Sequence, residues 1–371
     1  YEIGVRLVGS EMCIRDRSYT FGKNMDQNYG TTAIDEYAVD VTWEVADKTD
    51  IGVDMRLLNN KLNLQFDYFK ESREGIYLRR SSIPSYVGMI NNPYGNIGKV
   101  ENKGFELSVN YANSWGGDWS LSLMGNYSFN RNKVLEDDST VVYPWQNTIG
   151  NKVGQRFGLV ALGLFESYGE IAASPVQTGD TRPGDIKYKD INGDGKIDEY
   201  DKVPIGWGSV PEIMYGFGFS VGWKNLSLTA MFQGVAHVDA MLSGEGVLPF
   251  SQGSSRGNLL SNITDRWTEE NPRQNAFYPR LSIGNINMNY EESTWWLKDT
   301  DYLRLKNIEL SYRLPDHWMK RIHLDNARIF IQGVNLLTFS SFKIWDVELG
   351  DGRGARYPNI ASVSLGVNFN F

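Results

Sequence analysis

The chain has 371 residues, 41% hydrophobic and 22% charged, with 38 Gly and 12 Pro, enough for two or three ordinary domains or one large β architecture. Aromatic content of 13%, from 20 Tyr, 17 Phe and 11 Trp, excludes disorder, because that much ring surface supplies ample apolar area to bury. A net charge of −8 argues against nucleic acid as a partner, and three His with one Cys (Cys13) cannot build a His/Cys metal cluster or a disulfide framework.

No basic segment followed by an apolar run opens the chain, so no signal peptide is expected at its start. Leu7 to Arg17 reads LVGSEMCIRDR and resembles the in-frame translation of a transposon-end adapter used to prepare sequencing libraries. That resemblance implies that Leu7–Arg17, Cys13 included, is an assembly scar and that residues 1–17 as a whole are artefactual or chimeric; a polar loop with one free thiol is the plainer alternative, and fold expectations begin at Ser18.

From Asp50 onward the pattern has period two. Ile51, Val53, Met55 and Leu57 alternate with Gly52, Asp54 and Arg56, and Leu62, Leu64, Phe66 and Tyr68 alternate with Asn63, Gln65 and Asp67. Asn59-Asn60 between them predicts a tight hairpin turn. The alternation returns at Phe105–Tyr111, at Trp119–Phe129, at Ile213–Trp223 and at Leu226–Phe232, each with Ser, Asn, Gly, Thr or Gln on the opposite face. In Arg304–Tyr312 the apolar phase changes between Leu305 and Ile308, which predicts a bulge or a strand buried on both faces. Ala327–Gly333 and Ala361–Phe371 follow, and with Gly158–Phe165 the total is about ten long strands.

Many of these runs reach ten residues, longer than the usual five or six. Ten residues at about 3.3 Å each and a tilt near 40° match a hydrocarbon layer of about 25 Å. The longest apolar run, Phe157–Phe165, is far short of the roughly 20 residues a membrane helix needs. A transmembrane barrel puts the apolar face to lipid and the polar face to a wet lumen; a soluble β-sandwich or jelly roll covers the apolar face with a second sheet. Minimal turns at Asn59-Asn60 and Lys224-Asn225 contrast with connections of dozens of residues at 130–158, 166–211 and 235–301, the arrangement of outer-membrane barrels. An amphipathic last strand ending at Phe371 also resembles a barrel-insertion signal.

Within the second long connection lies DINGDGKIDEYD, residues 190–201. Asp190, Asn192, Asp194, Asp198 and Asp201 fall at positions 1, 3, 5, 9 and 12 of an EF-hand-type loop, Gly195 sits at the sharp turn, and Lys196 offers its backbone carbonyl at position 7. Hard oxygen donors in that order point to Ca²⁺ in a structural role. Asp in place of Glu at position 12, and Val203-Pro204 where an exit helix would start, predict weak affinity. A metal-free Asp/Asn/Gly-rich turn is the plainer alternative. Catalytic constellations are not evident: His317 and His323 have no nucleophile at a recognisable spacing, and Asp137-Asp138 and Glu291-Glu292 look like solvated loop charge. Trp145, Trp207, Trp295, Trp296 and Trp345 could stack on sugar rings or form an interfacial girdle, of which the girdle is expected.

Thr42–Tyr68 (TWEVADKTDIGVDMRLLNNKLNLQFDY), Asn102–Leu107 (NKGFEL), Pro183–Gly206, Asp301–Ser311, Gln332–Phe339 and the terminal strand together resemble, in order, the SusC/RagA family of TonB-dependent outer-membrane transporters. The resemblance runs from about Ser18 to Phe371. It implies an all-β, antiparallel transmembrane β-barrel of about 22 strands with an N-terminal plug, no enzymatic activity, and import of glycans or peptides. The partners it implies are a SusD-like surface lipoprotein, TonB acting through the plug region, and outer-membrane lipid. On it, residues 18–371 are the C-terminal portion of the barrel, the plug is absent, and residues 184–206 form an extracellular Ca-type loop. About ten strands of such a barrel leave two unpaired edges that lipid does not tolerate, so the chain alone is expected neither to insert nor to transport. The competing class is a secreted β-rich carbohydrate-binding or glycan-processing protein with a dockerin-like Ca²⁺ loop.

Overall fold

The computed structural model describes residues 18–21, 27–30, 41–84, 92–250, 259, 261–284, 286–321 and 325–370. The adapter-like stretch with Cys13, and His323, lie outside the described residues. Among the described residues nine long strands form one sheet. They are β1 (Val45–Leu57), β2 (Leu62–Arg79), β3 (Tyr94–Trp115), β4 (Trp119–Glu136), β5 (Ile213–Trp223), β6 (Leu226–Ala236), β7 (Tyr302–Arg313), β8 (Asn326–Ser340) and β9 (Ser362–Asn370). Each pairs antiparallel with its neighbours in sequence, an up-and-down meander with β1 and β9 at the two edges. A small hairpin of Ser18–Phe21 and Gln27–Gly30 pairs apart from it.

Register keeps every apolar run on one side. Leu57, Leu62, Tyr111, Leu123, Phe219, Ala230, Ile308, Gly333 and Val363 stand opposite one another in a single row across all nine strands. A neighbouring row on the other face reads Ser122, Ser220, Thr229, Glu309, Gln332 and Ser364. Because side chains alternate with period two, a slip of one residue on any strand would break both rows. The expected bulge occurs: pairing of β7 with β8 shifts between Leu305 and Asn307, which carries the apolar phase across the irregularity.

The apolar face is uncovered. Leu123 is 43% exposed and Leu365 77%, and no second sheet of the described residues packs on them, so the sandwich reading fails on the feature it requires. Among the described residues no helix is long and apolar enough to cross a membrane. At the rim with tight turns, Trp115, Trp119 and Trp223 stand in register, half-exposed, with Trp119 and Trp223 ring centroids 6.0 Å apart. Half-exposed tryptophans in one row at a sheet rim are the arrangement of an interfacial aromatic belt.

Three of the four connections at this rim are tight turns, and the fourth, between β7 and β8, carries the short helix Asp316–Arg321. Leu58, Asn59 and Asn60 all have positive φ between β1 and β2, Gly116 and Gly117 do so between β3 and β4, and Lys224 does between β5 and β6. Gly and Asn enter that region at little steric cost, whereas Leu58 and Lys224 bear strain for it. One prediction is corrected: Gly158–Phe165 is not a long strand. It divides into Arg156–Gly158 and Ala161–Leu164, both in the loop layer at the opposite rim, and this is why the sheet has nine strands.

Candidate functional site in the loop layer

At the opposite rim the connections 137–212, 237–301 and 341–361 fold together, and most of the buried apolar core lies there rather than in the sheet. Short strands stitch it. Arg156–Gly158 pairs with Val203–Ile205, Ala161–Leu164 with Ile186–Tyr188, Val176–Gln177 with Lys196–Ile197, and Asp239–Met241 with Leu297–Asp299. Leu159, Ile186, Tyr188, Leu242, Tyr278 and Trp296 are almost wholly buried between them. These loops bury their apolar side chains against one another, whereas the apolar face of the sheet stays uncovered.

Polar groups lock the layer at three places. Asp185, 1% exposed, accepts from Arg280 Nε (3.0 Å) and Nη2 (2.9 Å), Asn287 Nδ2 (3.1 Å), Asn289 Nδ2 (2.8 Å) and the Arg182 amide (2.9 Å). A buried carboxylate with that many donors is fully satisfied. Arg156 bridges two loops, reaching Asp239 (3.2 Å) and Asp351 (2.8 Å). At the base, the buried Glu212 carboxylate meets Arg131 (2.6 Å), Lys152 (3.2 Å) and His237 Nδ1 (3.2 Å), while the His237 ring stacks on Trp207 at 4.0 Å.

Burial opposes ionisation of Glu212, yet the Arg131, Lys152 and His237 partners outweigh it and hold the carboxyl below its ordinary range. A carboxyl with a depressed folded-state pKa stabilises above its unfolded pKa and loses that contribution as pH falls through the folded value. Acidification below the normal carboxylate range should therefore loosen this corner, seen as faster proteolysis of the 137–212 connection. Glu212→Gln should cost about 1–2 kcal/mol, by leaving the largely covered Lys152 and the half-exposed, solvent-screened Arg131 without their anion, and should erase that acid step; an acid step that survives in Glu212→Gln assigns it to another group.

The Ca-type loop is well ordered by its own side chains. Asp190 accepts from the Gly193 amide (2.7 Å) and the Gly195 amide (2.9 Å), Asn192 Oδ1 from the Asp194 amide (3.0 Å), Asp194 Oδ1 from the Lys196 amide (2.9 Å), and Asp198 Oδ1 from the Tyr200 amide (2.8 Å). Gly195 adopts φ +82°, the turn expected of it. Ile197 plugs the loop into the core. Asp201 is 0% exposed and accepts from the Ile191 (2.7 Å) and Asp198 (2.9 Å) amides. Thus Asp190, Asn192 and Asp194 share one exposed turn, whereas Asp201 lies beneath it holding backbone. Among the described residues no group of three or more His, Cys, Asp or Glu side chains gathers as a metal site.

The tryptophan expectation is corrected. Trp296 is buried and donates to the Asn289 carbonyl, Trp295 donates to the Phe277 carbonyl, Trp145 to the Tyr200 carbonyl, and Trp345 packs on Phe342; these rings pin loops and are not a membrane girdle. The tryptophans with a girdle's arrangement are Trp115, Trp119 and Trp223, in one half-exposed row at the tight-turn rim. Asp137 and Asp138 tie loops: Asp137 accepts from Ser139 and Thr148, and Asp138 accepts from Ser82 across from the β2–β3 connection. The Asp185 cluster went unread in the sequence. Its trace was the spaced pair in Asn287-Met288-Asn289, polar residues alternating with an apolar one far from any long strand.

On the polar face of the sheet, Gln65, Glu106, Asn126, Ser128 and Gln233 line a shallow concavity beside Gly216. A two-faced antiparallel meander with tight turns at one rim and a packed loop layer at the other is barrel-wall geometry. The family model described as TonB dependent receptor-like, beta-barrel matches residues 16–336.

The chain belongs to that family. TonB-dependent receptor P3 of Formosa agariphila is 28% identical over 377 aligned residues, covering 93% of this chain and 36% of the relative. TonB-dependent receptor SusC of Bacteroides thetaiotaomicron is 24% identical, covering 95% and 34%. The chain therefore spans about a third of the length of the curated relatives it matches. Among solved structures, the RagAB peptide importer in its open-open state superposes with a TM-score of 0.68 at 20% identity, covering 96% of this chain and 37% of that one. The relatives are receptors and transporters by name, of SusC/RagA type, and β-barrels of this family reside in the outer membrane.

Proposed function

We propose that this chain forms part of the barrel wall and the extracellular loop layer of an outer-membrane importer of glycans or peptides. It acts with a SusD-like lipoprotein at the loop rim and draws energy from TonB. The observation that carries this reading is the continuous apolar row across nine strands, backed by a polar face and joined to loops that build their own core. Such a wall guides a polar solute and leaves selection to the loops. The test is uptake in the source bacterium. Removing residues 259–281 from the receptor should abolish growth on one polymer or peptide source while the barrel still reaches the outer membrane; unchanged growth on every source would sink the proposal.

We also propose that the 190–201 loop takes Ca²⁺, with Asp190, Asn192, Asp194, the Lys196 carbonyl and Asp198 as donors and Asp201 supporting the turn from below. Its support is the hard oxygen donor set in EF-hand order and the Gly195 turn. Ca²⁺ would stiffen the loop against the core. Calorimetry on the intact receptor should give a Kd of about 10⁻⁴ to 10⁻³ M that Asp190→Ala with Asp194→Ala removes; the same heat in the double variant refutes it.

A further inference from the structure

On the lipid-facing side of β2, β3 and β4, Lys70, Lys103 and Arg131 stand directly opposite one another in one registered row. The row immediately below it, toward the membrane, is Tyr68, Phe105 and Phe129, and the Arg131 guanidinium lies 5.4 Å from the Phe129 ring centre. One row higher, Lys133 adds a fourth cation opposite Glu101. Like charges directly across strands are unfavourable. Here Lys70 (2.8 Å) and Lys103 (3.5 Å) must share the single Glu101 carboxylate, and Arg131 shares Glu212 with Lys152. Lys70, Lys103 and Arg131 nevertheless remain about half-exposed.

Height decides what this row meets. Arg131 is twelve residues along β4 from Trp119 of the tight-turn belt. At about 3.3 Å per residue and a tilt near 40°, that is roughly 30 Å along the membrane normal, just beyond an apolar band of about 25 Å. Lysines at such an edge lift their ammonium groups out of the hydrocarbon, and the Lys70 ammonium does meet Glu101 one row higher. A row of cations just above an aromatic row, on the outer wall at the loop rim, faces lipid headgroups of the outer leaflet.

We propose that Lys70, Lys103, Lys133 and Arg131 form a binding site for the phosphate of an outer-leaflet glycolipid. The acyl chains lie on the Tyr68, Phe105 and Phe129 row, and the phosphate oxygens accept hydrogen bonds from the N–H groups that Glu101 leaves free. The proposal rests on the membrane-barrel reading, which the first arm of its test checks alone.

The experiment uses the intact receptor extracted from outer membranes, with Lys70→Gln, Lys103→Gln and Lys133→Gln combined in one variant that keeps Arg131 and its Glu212 pairing. Outer-membrane fractionation and heat-modifiable gel migration report the barrel; failure of both in the unaltered receptor overturns the barrel reading itself. Native mass spectrometry in detergent then reads binding of monophosphorylated lipid A, of phosphatidylcholine and of inorganic phosphate. Lipid A should bind the unaltered receptor at least tenfold more tightly than phosphatidylcholine, and the triple variant should lose that preference while migrating normally. Equal binding of the two lipids, an undiminished preference in the variant, or competition by inorganic phosphate as strong as by lipid A overturns the site. Should the triple variant misfold, Lys103→Gln alone is expected to weaken lipid A binding several-fold, and no change there overturns it as well.

Discussion

Leu123→Arg is expected to destabilise the membrane-embedded barrel by about 2–4 kcal/mol, while Ser122→Arg, one residue away, costs less than about 1 kcal/mol. Leu123 sits on the apolar row between Tyr111 and Phe219, four residues above the Trp119 belt and so near the middle of the hydrocarbon; Ser122 faces the lumen between Ala112 and Ser220. Both positions are open in the sheet, so a soluble protein would tolerate either change within about 0.5 kcal/mol. The contrast thus reads the solvent on each face. Urea unfolding of the intact receptor in lipid vesicles measures it, and equal costs at the two positions would contradict a lipid-facing row.

A comparable loss, confined to the loops, is expected from Asp185→Ala. That carboxylate gathers Arg280, Asn287, Asn289 and the Arg182 amide, and Asn289 in turn accepts the buried Trp296 indole N–H through its carbonyl. Its removal leaves a part-buried guanidinium and two buried amides without an acceptor, at about 3–5 kcal/mol. Hydrogen exchange should show residues 159–188 and 276–296 losing protection together while β1–β9 keep theirs. Asp185→Asn, which retains an acceptor oxygen, should recover part of the loss. Uniform loss across the sheet would mean that loops and wall unfold as one unit.

The wall was legible because it obeys one rule. Lipid on one side and water on the other impose strict period two, so Leu62–Tyr68, Ile213–Trp223 and the phase change near Leu305 could each be read locally, and the family resemblance set them in order. The loop layer obeys no period. Gly158–Phe165 looked like a strand of the wall because an apolar run carries no statement of what buries it, and in the structure loops bury it. The same ambiguity misplaced Trp295, Trp296 and Trp345: a loop tryptophan near a rim reads alike whether it meets headgroups or a protein core. Asp185 was invisible for a different reason, since its donors lie about a hundred residues downstream. The EF-hand-like spacing at 190–201 was legible as a turn, and Gly195 fulfils it; the burial of Asp201 depends on packing that spacing does not encode.

The meander and the stitched loops also differ in when they can form. Every strand pairing from β1 to β9 joins sequence neighbours, and β1–β2, β3–β4 and β5–β6 close through tight turns, so the wall can grow strand by strand in chain order. The Arg156–Asp351 bridge spans 195 residues and must wait until β4 to β8 are in place. The loop layer therefore closes only over strands that have already paired, so a misordered wall would leave Arg156 and Asp351 without each other.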